Sequence, residues 1–193
     1  MIFLLEVILL IKSKDEYKKY IKYEKERYYK SYADITFEHK KLIKFLKLYR
    51  KNEYFHNCKK SKILLNYIDK KYNNLCLKYN MYLPINTIDM GLLIVHIGPI
   101  HINKNAKIGK DLRLHPMTTI ASSLGEKLAP NIKDGVWIGP GAKLYGNITI
   151  GSNVVIGANS VVNKSFSDNI TVAGVPAKKI NNKKYKDYFK KEK

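Results

Sequence analysis

Apolar side chains recur at every sixth position in the second half of this 193-residue chain. Neither an α-helix, with about 3.6 residues per turn, nor a strand, whose side chains alternate between two faces, has that period. Short internal repeats of this kind are typical of a solenoid with flat walls of parallel β-strands. Glu126 interrupts the series, and Ile88 and Ile94 keep the same spacing upstream in a frame shifted by two residues. The periodic residues are Ile102, Ile108, Leu114, Ile120, Ile132, Ile138, Leu144, Ile150, Ile156 and Val162.

Two further features accompany the six-residue period. Four residues after a periodic residue the side chain is mostly small or β-branched, which fits a second inward position beside the larger one. These residues are Ala106, Thr118, Val136, Ala142, Ile148, Val154 and Ser160. A Gly follows four of the periodic residues, and we expect it to relieve the sharp backbone turn at a corner of the solenoid. These glycines are Gly109, Gly139, Gly151 and Gly157.

The first part of the chain has a helical pattern instead. From Lys12 to about Tyr79, apolar residues lie three or four positions apart among Lys and Glu, and no Pro or Gly occurs before Pro84. We therefore predict an α-helical domain over residues 1–81, a β-solenoid over 82–177 and a basic tail over 178–193 that forms a short helix. The expected fold class is mainly β.

Two features of the sequence bear on the cellular location of the protein. The apolar run Met1–Ile11 would reach only about 16 Å as a helix, roughly half the apolar thickness of a bilayer. It lacks a basic start and a small-residue cleavage site, so we interpret it as the first turns of a packed helix, with membrane-surface contact as the alternative. Cys58 and Cys76 are too few for a disulfide framework and lack metal-ligand spacing. We expect a reducing compartment, the cytoplasm.

The formal net charge of +20 raises the question of a nucleic-acid partner. The charge is spread evenly, because residues 1–90 hold 20 Lys and Arg against 10 Asp and Glu, and residues 91–193 hold 16 against 6. Basic surfaces attract phosphate in general, including that of anionic cofactors and membranes. The net charge is the single feature of the sequence that favours a nucleic-acid partner. Because it is not specific for nucleic acid, we predict no such partner.

Motif scanning excludes several classes of enzyme. Residues 141–146 have the spacing of a phosphate loop, but Asn147 stands where that loop needs Lys. The chain has no dinucleotide fingerprint, no CxxC or HExxH metal motif and no nucleophile-elbow Ser.

Three histidines remain as candidates for chemistry. His96 lies where the six-residue frame slips by two, and such a slip predicts a bulge that re-aims a side chain. His101 and His115 each neighbour a periodic residue, so we expect both to point outward.

Four segments carry a family resemblance: GLLIVH at 91–96, IKDGVWIGPGAKLYG at 132–146, IGANSVVNK at 156–164 and AGVPA at 173–177. With them the stretch from Gly91 to Ile180 resembles the hexapeptide-repeat acyltransferases, which fold as left-handed parallel β-helices, and within them the serine acetyltransferase-like branch. The resemblance implies direct transfer from acetyl-CoA with His96 as the catalytic base. We keep His115, next to the periodic Leu114, as a second candidate catalytic residue, and we expect no metal. The resemblance carries cofactor contacts onto Pro140, Ala158, Asn163, Lys164 and Lys178.

Three departures from the branch bear on the acceptor. Serine acetyltransferases have an Asp that orients the base and meets the serine amine, and by alignment this chain has Met81 there. A further essential His of theirs falls on Ala129, and the Asp before the base is Val95. Two segments, PIHIN at 99–103 after His96 and NKSF at 163–166 before the final AGVP, resemble instead the relatives that O-acetylate capsule or exopolysaccharide sugars. We therefore expect a sugar or polysaccharide hydroxyl as acceptor, beside the loop at 121–130.

Two other functions stay open. One is serine O-acetyltransferase of cysteine synthesis. The other, from a different class, is a γ-type carbonic anhydrase, for which His96, His101 and His115 would be the zinc ligands. The family resemblance also implies a homotrimer with sites between neighbouring subunits, and a higher assembly through the N-terminal helices.

Overall fold

The computed structural model describes residues 10–188, which begin with three long helices. These are α1 (Lys14–Ser31), α2 (Phe37–Asn57) and α3 (Lys62–Tyr79), and a short helix, α4 (Tyr185–Tyr188), lies near the C-terminus. The side chains of Ser13, Thr36 and Ser61 cap the long helices by accepting the backbone N–H three residues on. The helical first part and the short helix in the tail are as predicted.

Short strands follow the helices and form three sheets. The five-stranded sheet has the order β1-β3-β6-β9-β12, the three-stranded sheet β10-β7-β4, and the six-stranded sheet β14-β13-β11-β8-β5-β2. The strands are β1 (Met81–Tyr82), β2 (Leu93–Ile94), β3 (Ile100–Ile102), β4 (Lys107–Ile108), β5 (Arg113–Leu114), β6 (Thr118–Ala121), β7 (Asn131–Ile132), β8 (Trp137–Ile138), β9 (Lys143–Tyr145), β10 (Thr149–Ile150), β11 (Val155–Ile156), β12 (Val161–Val162), β13 (Thr171–Gly174) and β14 (Ala177–Asn181). Successive turns of the chain supply the sheets in rotation, and the predicted left-handed β-helix is confirmed.

The periodic residues fill the interior of the β-helix. Each of the ten is no more than 5% exposed, and the small or β-branched residues four positions later are no more than 6% exposed. Ile88 and Ile94 of the shifted frame are fully buried as well. The interruption at Glu126 is a loop over residues 122–130, between β6 and β7, which is exposed at 124–128 and buried at 129–130. Both inward positions are therefore as predicted.

The glycines that follow the periodic residues have a different role from the predicted one. A Cβ on Gly139 would lie 2.8 Å from Ala158 N and 2.9 Å from Ile156 O of the next turn. Gly139 is thus needed for close approach of two turns, and its φ lies outside the left-handed region. Left-handed backbone occurs instead two residues later. On three successive turns it is adopted by Met117 (φ 63°), Gly141 (φ 76°) and Asn159 (φ 54°).

A buried ionic cluster joins the helices to the first turn of the β-helix. Arg50 of α2 is fully buried and donates to Glu24 Oε1 of α1 at 2.7 Å and to Glu53 Oε2 at 3.0 Å. It also donates to the backbone oxygens of Ile88 at 2.7 Å and Asp89 at 2.8 Å. Because these carbonyls belong to the first turn, the helices and the β-helix share one interior.

The predicted domain limits fall inside elements. The boundary between residues 81 and 82 divides β1, which pairs in parallel with β3 of the β-helix. The boundary at residue 178 divides β14, which pairs antiparallel with β13. As limits of independent domains, both stay predictions.

The apolar N-terminal run is described only at its end. Residues 1–9 lie outside the described residues, so their predicted packing and membrane contact are untested. Leu10 and Ile11 are not helical, because α1 begins after the Ser13 cap, and Ile11 is fully buried. None of the helices within residues 10–188 is both long enough and apolar enough to cross a membrane.

Candidate active site

One edge of the β-helix brings together most of the predicted site residues. We call it the histidine edge: residues 95–99, 115–117, 139–142 and 157–160, the turns that lead from the six-stranded to the five-stranded sheet. The preceding strands are in register, because Ile94 pairs with Leu114, Leu114 with Ile138, and Ile138 with Ile156. With strands roughly 4.8 Å apart, the four turns span about 14 Å. His96, His115, Pro140 and Ala158 each lie on one of them.

The frame slip at His96 lies in the turn and not in a strand. From Ile94 to Ile102 the chain takes eight residues, whereas the later turn from Ile138 to Leu144 takes six. The predicted bulge at this position is wrong, since the register shift recorded between described strands lies in the β13–β14 pair. The longer turn still directs the His96 side chain away from the interior, as the frame slip predicted, because 57% of that side chain is exposed.

Glu38 of α2 holds His96 and the turn behind it. Glu38 Oε2 lies 3.1 Å from His96 Nδ1, and Glu38 Oε1 accepts the Ile97 N–H at 2.7 Å. Partial burial alone would raise the pKa of Glu38, but the Ile97 N–H and His96 outweigh it and lower the pKa. An ionised carboxylate only accepts, so Nδ1 carries the proton and Nε2 of the neutral ring keeps its lone pair.

Sequence reasoning missed Glu38. It lies 58 residues before His96, in the first turn of a helix where an acidic residue is ordinary. No motif or spacing connects the two residues, because the contact depends on how α2 packs against the β-helix.

His115 is the partly buried member of the edge. Its Nδ1 donates to the backbone oxygen of Ile138 at 2.9 Å, and its ring centroid lies 4.6 Å from that of Trp137. Burial lowers the pKa of His115, and the hydrogen bond to Ile138 only partly offsets this. His115 is therefore neutral near pH 7, with Nε2 as a free acceptor.

His101 does not belong to the edge. It lies in β3, exposed on the outer face of the five-stranded sheet, beside Thr119 of β6. Within residues 10–188, no three His, Cys, Asp or Glu side chains lie close enough together to hold a metal ion. The described part of a single chain therefore does not assemble the zinc site of the carbonic anhydrase alternative.

The predicted cofactor residues separate into two groups. Pro140 and Ala158 lie on the histidine edge, one turn apart, where the Asn159 N–H donates to Pro140 O at 2.9 Å. Lys178 of β14 pairs with Ala173, and a Cβ on Gly157 would lie 2.7 Å from Ala173 Cβ, so Lys178 lies near the end of this edge. In contrast, Asn163 and Lys164 follow β12 and lie on the next edge, beyond the five-stranded sheet.

An apolar hollow of about 300 Å³ opens on the six-stranded sheet beside the histidine edge. Its lining residues are Trp137, Val155, Gly157, Thr171, Tyr185 and Tyr188. Trp137 also contacts the His115 ring, so apolar surface adjoins the polar groups of the edge.

Comparisons with known proteins identify the repeat. Residues 129–164 match the family model described as bacterial transferase hexapeptide (six repeats). This stretch of the β-helix is therefore similar to the repeats of that family. The serine acetyltransferase of Buchnera aphidicola subsp. Acyrthosiphon pisum is 36% identical over 113 residues, which cover 57% of this chain and 41% of that protein. The chain thus spans less than half the length of this curated relative.

Solved structures extend the similarity to the helices. The crystal structure of Neisseria gonorrhoeae serine acetyltransferase in complex with serine has a TM-score of 0.69 at 26% identity, covering 86% of this chain and 69% of that one. A serine acetyltransferase in complex with CoA has a TM-score of 0.60 at 28% identity, covering 72% and 57%. The hexapeptide-repeat resemblance and its serine acetyltransferase-like branch are confirmed, whereas these relatives give no support to a polysaccharide acceptor.

Proposed function

We propose that this chain is an acetyl-CoA-dependent O-acetyltransferase with His96 as its general base. The histidine edge carries this proposal, because Glu38 contacts Nδ1 of an exposed imidazole and leaves Nε2 as the nitrogen that can take a proton from an acceptor hydroxyl. The similarity to serine acetyltransferases supports the same reaction class.

The proposed chemistry is a direct transfer. His96 Nε2 takes the proton of the acceptor hydroxyl while that oxygen forms a bond to the acetyl carbonyl carbon. Backbone N–H groups stabilise the oxyanion of the tetrahedral species. The bond from carbon to sulfur then breaks, and His96 returns the proton so that CoA leaves as the thiol.

His115 has a different proposed role. Because its Nδ1–H is engaged by Ile138 O, the neutral ring can only accept at Nε2. It therefore suits an N–H or O–H of a bound substrate, and it cannot donate to an oxyanion. We assign His115 to substrate orientation beside His96.

The histidine edge is the proposed binding surface for acetyl-CoA. Pro140 and Ala158 are exposed and compact, so an extended pantetheine arm could lie against the edge over about 14 Å. Lys178 near its end suits the nucleotide phosphates. Asn163 and Lys164, on the next edge, are proposed contacts only if a neighbouring subunit presents them to the same substrate.

L-Serine is the proposed acceptor. The relatives are named serine acetyltransferases, and one solved structure is a complex with serine. A sugar hydroxyl is the second candidate, on a specific observation: Met81 is 1% exposed and Ala129 is 8% exposed. Neither buried apolar side chain could meet a serine amine or carboxylate, so the polar contacts expected at these positions are missing.

The proposed assembly is a homotrimer in the cytoplasm. The β-helix has flat sheet faces, and the exposed row that includes Tyr82, His101 and Lys143 lies on one of them. A second subunit against such a face would bring its own residues close to the histidine edge. Further assembly would then use the helices.

Free thiol release from acetyl-CoA tests the activity and the acceptor together. We expect L-serine to be acetylated above the background of acetyl-CoA hydrolysis, and His96→Ala to lower turnover at least about a hundredfold, the usual effect of a positioned base. Acetylated capsule-type polysaccharide in place of acetylserine would establish the second candidate.

The control variant is His56→Ala, which removes an exposed histidine from the last turn of α2, where its Nε2 lies 2.8 Å from Asp69 Oδ1. It should keep its activity. Near-normal turnover of His96→Ala with the fold intact would remove His96 from the mechanism.

A further inference from the structure

We propose that Glu38 is the positioning residue for His96, so that the helical part of the chain completes the catalytic centre. The inference rests on the proposed function, since it concerns how the base is oriented. Nothing in the repeat itself supplies this carboxylate: Glu38 belongs to α2, and His96 belongs to the first turn of the β-helix.

Both carboxylate oxygens of Glu38 are engaged in the first turn of the β-helix. Oε2 lies 3.1 Å from His96 Nδ1, and Oε1 accepts the Ile97 N–H at 2.7 Å. A carboxylate anchored by the backbone next to the histidine has little freedom to turn away. The hydrogen bond from the Ile97 N–H therefore fixes the direction from which Glu38 contacts His96.

The start of α2 is itself held rigidly. Thr36 accepts the His39 N–H at 3.2 Å, and His39 Nδ1 accepts the Thr36 N–H at 3.3 Å. The His39 ring lies 4.0 Å from the Tyr32 ring, centroid to centroid. Glu38 is the second residue of this helix, where the helix dipole favours a negative charge.

The carboxylate has two consequences for the base. It keeps the proton on Nδ1, so that Nε2 keeps its lone pair and can act as the acceptor. When Nε2 takes a proton, the contact becomes a charge-assisted hydrogen bond from the imidazolium to Glu38. Glu38 does not need to accept the proton itself. Met81, buried and apolar, could not supply this contact.

The Glu38→Gln variant separates two roles of Glu38, the orientation of the His96 ring and the attachment of α2 to the turn at Ile97. The Gln side-chain oxygen can still accept the Ile97 N–H, so α2 keeps its anchor on the turn. Its amide NH₂ then faces His96 Nδ1, which must become the acceptor, and the proton moves to Nε2. In serine hydrolases the same exchange of carboxylate for amide fixes the wrong tautomer.

The experiment records long-range ¹⁵N–¹H correlations of histidine-labelled protein, together with acetyl-transfer kinetics. His96→Gln identifies the His96 signals. We expect the Nδ1–H tautomer in the wild type and the Nε2–H tautomer in Glu38→Gln. We expect kcat of Glu38→Gln to fall at least about tenfold. The KM for acetyl-CoA should stay within about twofold.

Glu16→Gln is the matched control, because Glu16 lies in the first turn of α1 and also accepts a backbone N–H, from Lys12. This variant removes the same charge from a helix start and should change neither tautomer nor kcat. An unchanged tautomer or an undiminished kcat in Glu38→Gln would overturn the proposal. Full activity of His96→Gln would instead overturn the proposed base, while the tautomer measurement still tests the Glu38 contact.

Discussion

At the scale of single residues, the two edge histidines differ in exposure and in what holds Nδ1. His96 is exposed and held by a carboxylate, whereas His115 is half-buried and held by a backbone carbonyl. A carboxylate stabilises the protonated ring much more than a neutral carbonyl does. The same side chain is therefore suited to proton transfer at one position and to hydrogen-bond acceptance at the other.

The lowered pKa of His115 makes the stability of the fold depend on pH. Above about pH 6.5 the ring is neutral in both the folded and the unfolded chain. As the pH falls, the unfolded chain takes up the proton first, because the folded pKa is lower. The contribution of His115 is thus present above its unfolded pKa and is lost as the pH falls toward its folded pKa.

We predict that His115→Gln loses less stability than the wild type between about pH 8 and about pH 5. Urea unfolding, monitored by circular dichroism at both pH values, gives the change in the free energy of unfolding for each of the two proteins. The comparison cancels other titrating groups that both proteins share. Equal pH dependence in the two proteins would mean that His115 has the same pKa folded and unfolded.

At the scale of elements, two kinds of small or permissive residue make the turns stack. Gly139 lets two turns approach because a Cβ there would meet backbone atoms. Gly141 and Asn159 adopt left-handed backbone, which Gly accepts freely and Asn more readily than most residues. Met117 holds the same conformation at the histidine edge without that advantage.

Gly139→Ala should lower the free energy of unfolding by about 1–3 kcal/mol, the usual cost of overpacking. Its Cβ would meet Ala158 N at 2.8 Å and Ile156 O at 2.9 Å, and backbone of an adjacent turn cannot rotate away. Gly157→Ala is the comparison, because only the Ala173 Cβ, at 2.7 Å, lies closer than 3.5 Å to the new methyl group. Urea unfolding should give the larger loss for Gly139→Ala, and the reverse order would contradict this account.

At the scale of the whole molecule, the Arg50 cluster couples the helices to the β-helix. Burial raises the pKa of Glu24, and Arg50 counteracts that rise. Burial would lower the pKa of Arg50, but the two carboxylates raise it well above its ordinary value. Arg50 also binds two carbonyls of the first β-helix turn, so the charge balance and the junction depend on the same side chain.

Replacing Arg50 by Met should cost about 3–5 kcal/mol of folding free energy, because two carboxylates stay buried without a counter-ion. The triple variant Glu24→Gln, Arg50→Met, Glu53→Gln removes all three charges and should recover part of the loss. Far-ultraviolet circular dichroism and the fluorescence of the single tryptophan, Trp137, would follow helices and β-helix separately. If the triple variant lost as much folding free energy as Arg50→Met, packing and not charge would dominate the contribution of this cluster.

The sequence alone determined the regular part of this protein. A six-residue period is a local property, and each periodic side chain must face the interior if the turns are to stack. Ile138 and Val162 are therefore buried as predicted, and His96 is exposed where the frame slips. The family resemblance added the proposed reaction class. The helical start followed from spacing and from the lack of Pro and Gly.

Only the tertiary structure decided which residues meet. It separated Asn163 and Lys164 from the histidine edge, because strand β12 of the five-stranded sheet lies between them and Ala158. It gave Gly139 a role in close approach that depends on the adjacent turn. Glu38 reached His96 through the packing of α2, across 58 residues of chain. Local periodicity encodes which side chains face inward, whereas contacts between distant segments depend on how whole elements pack.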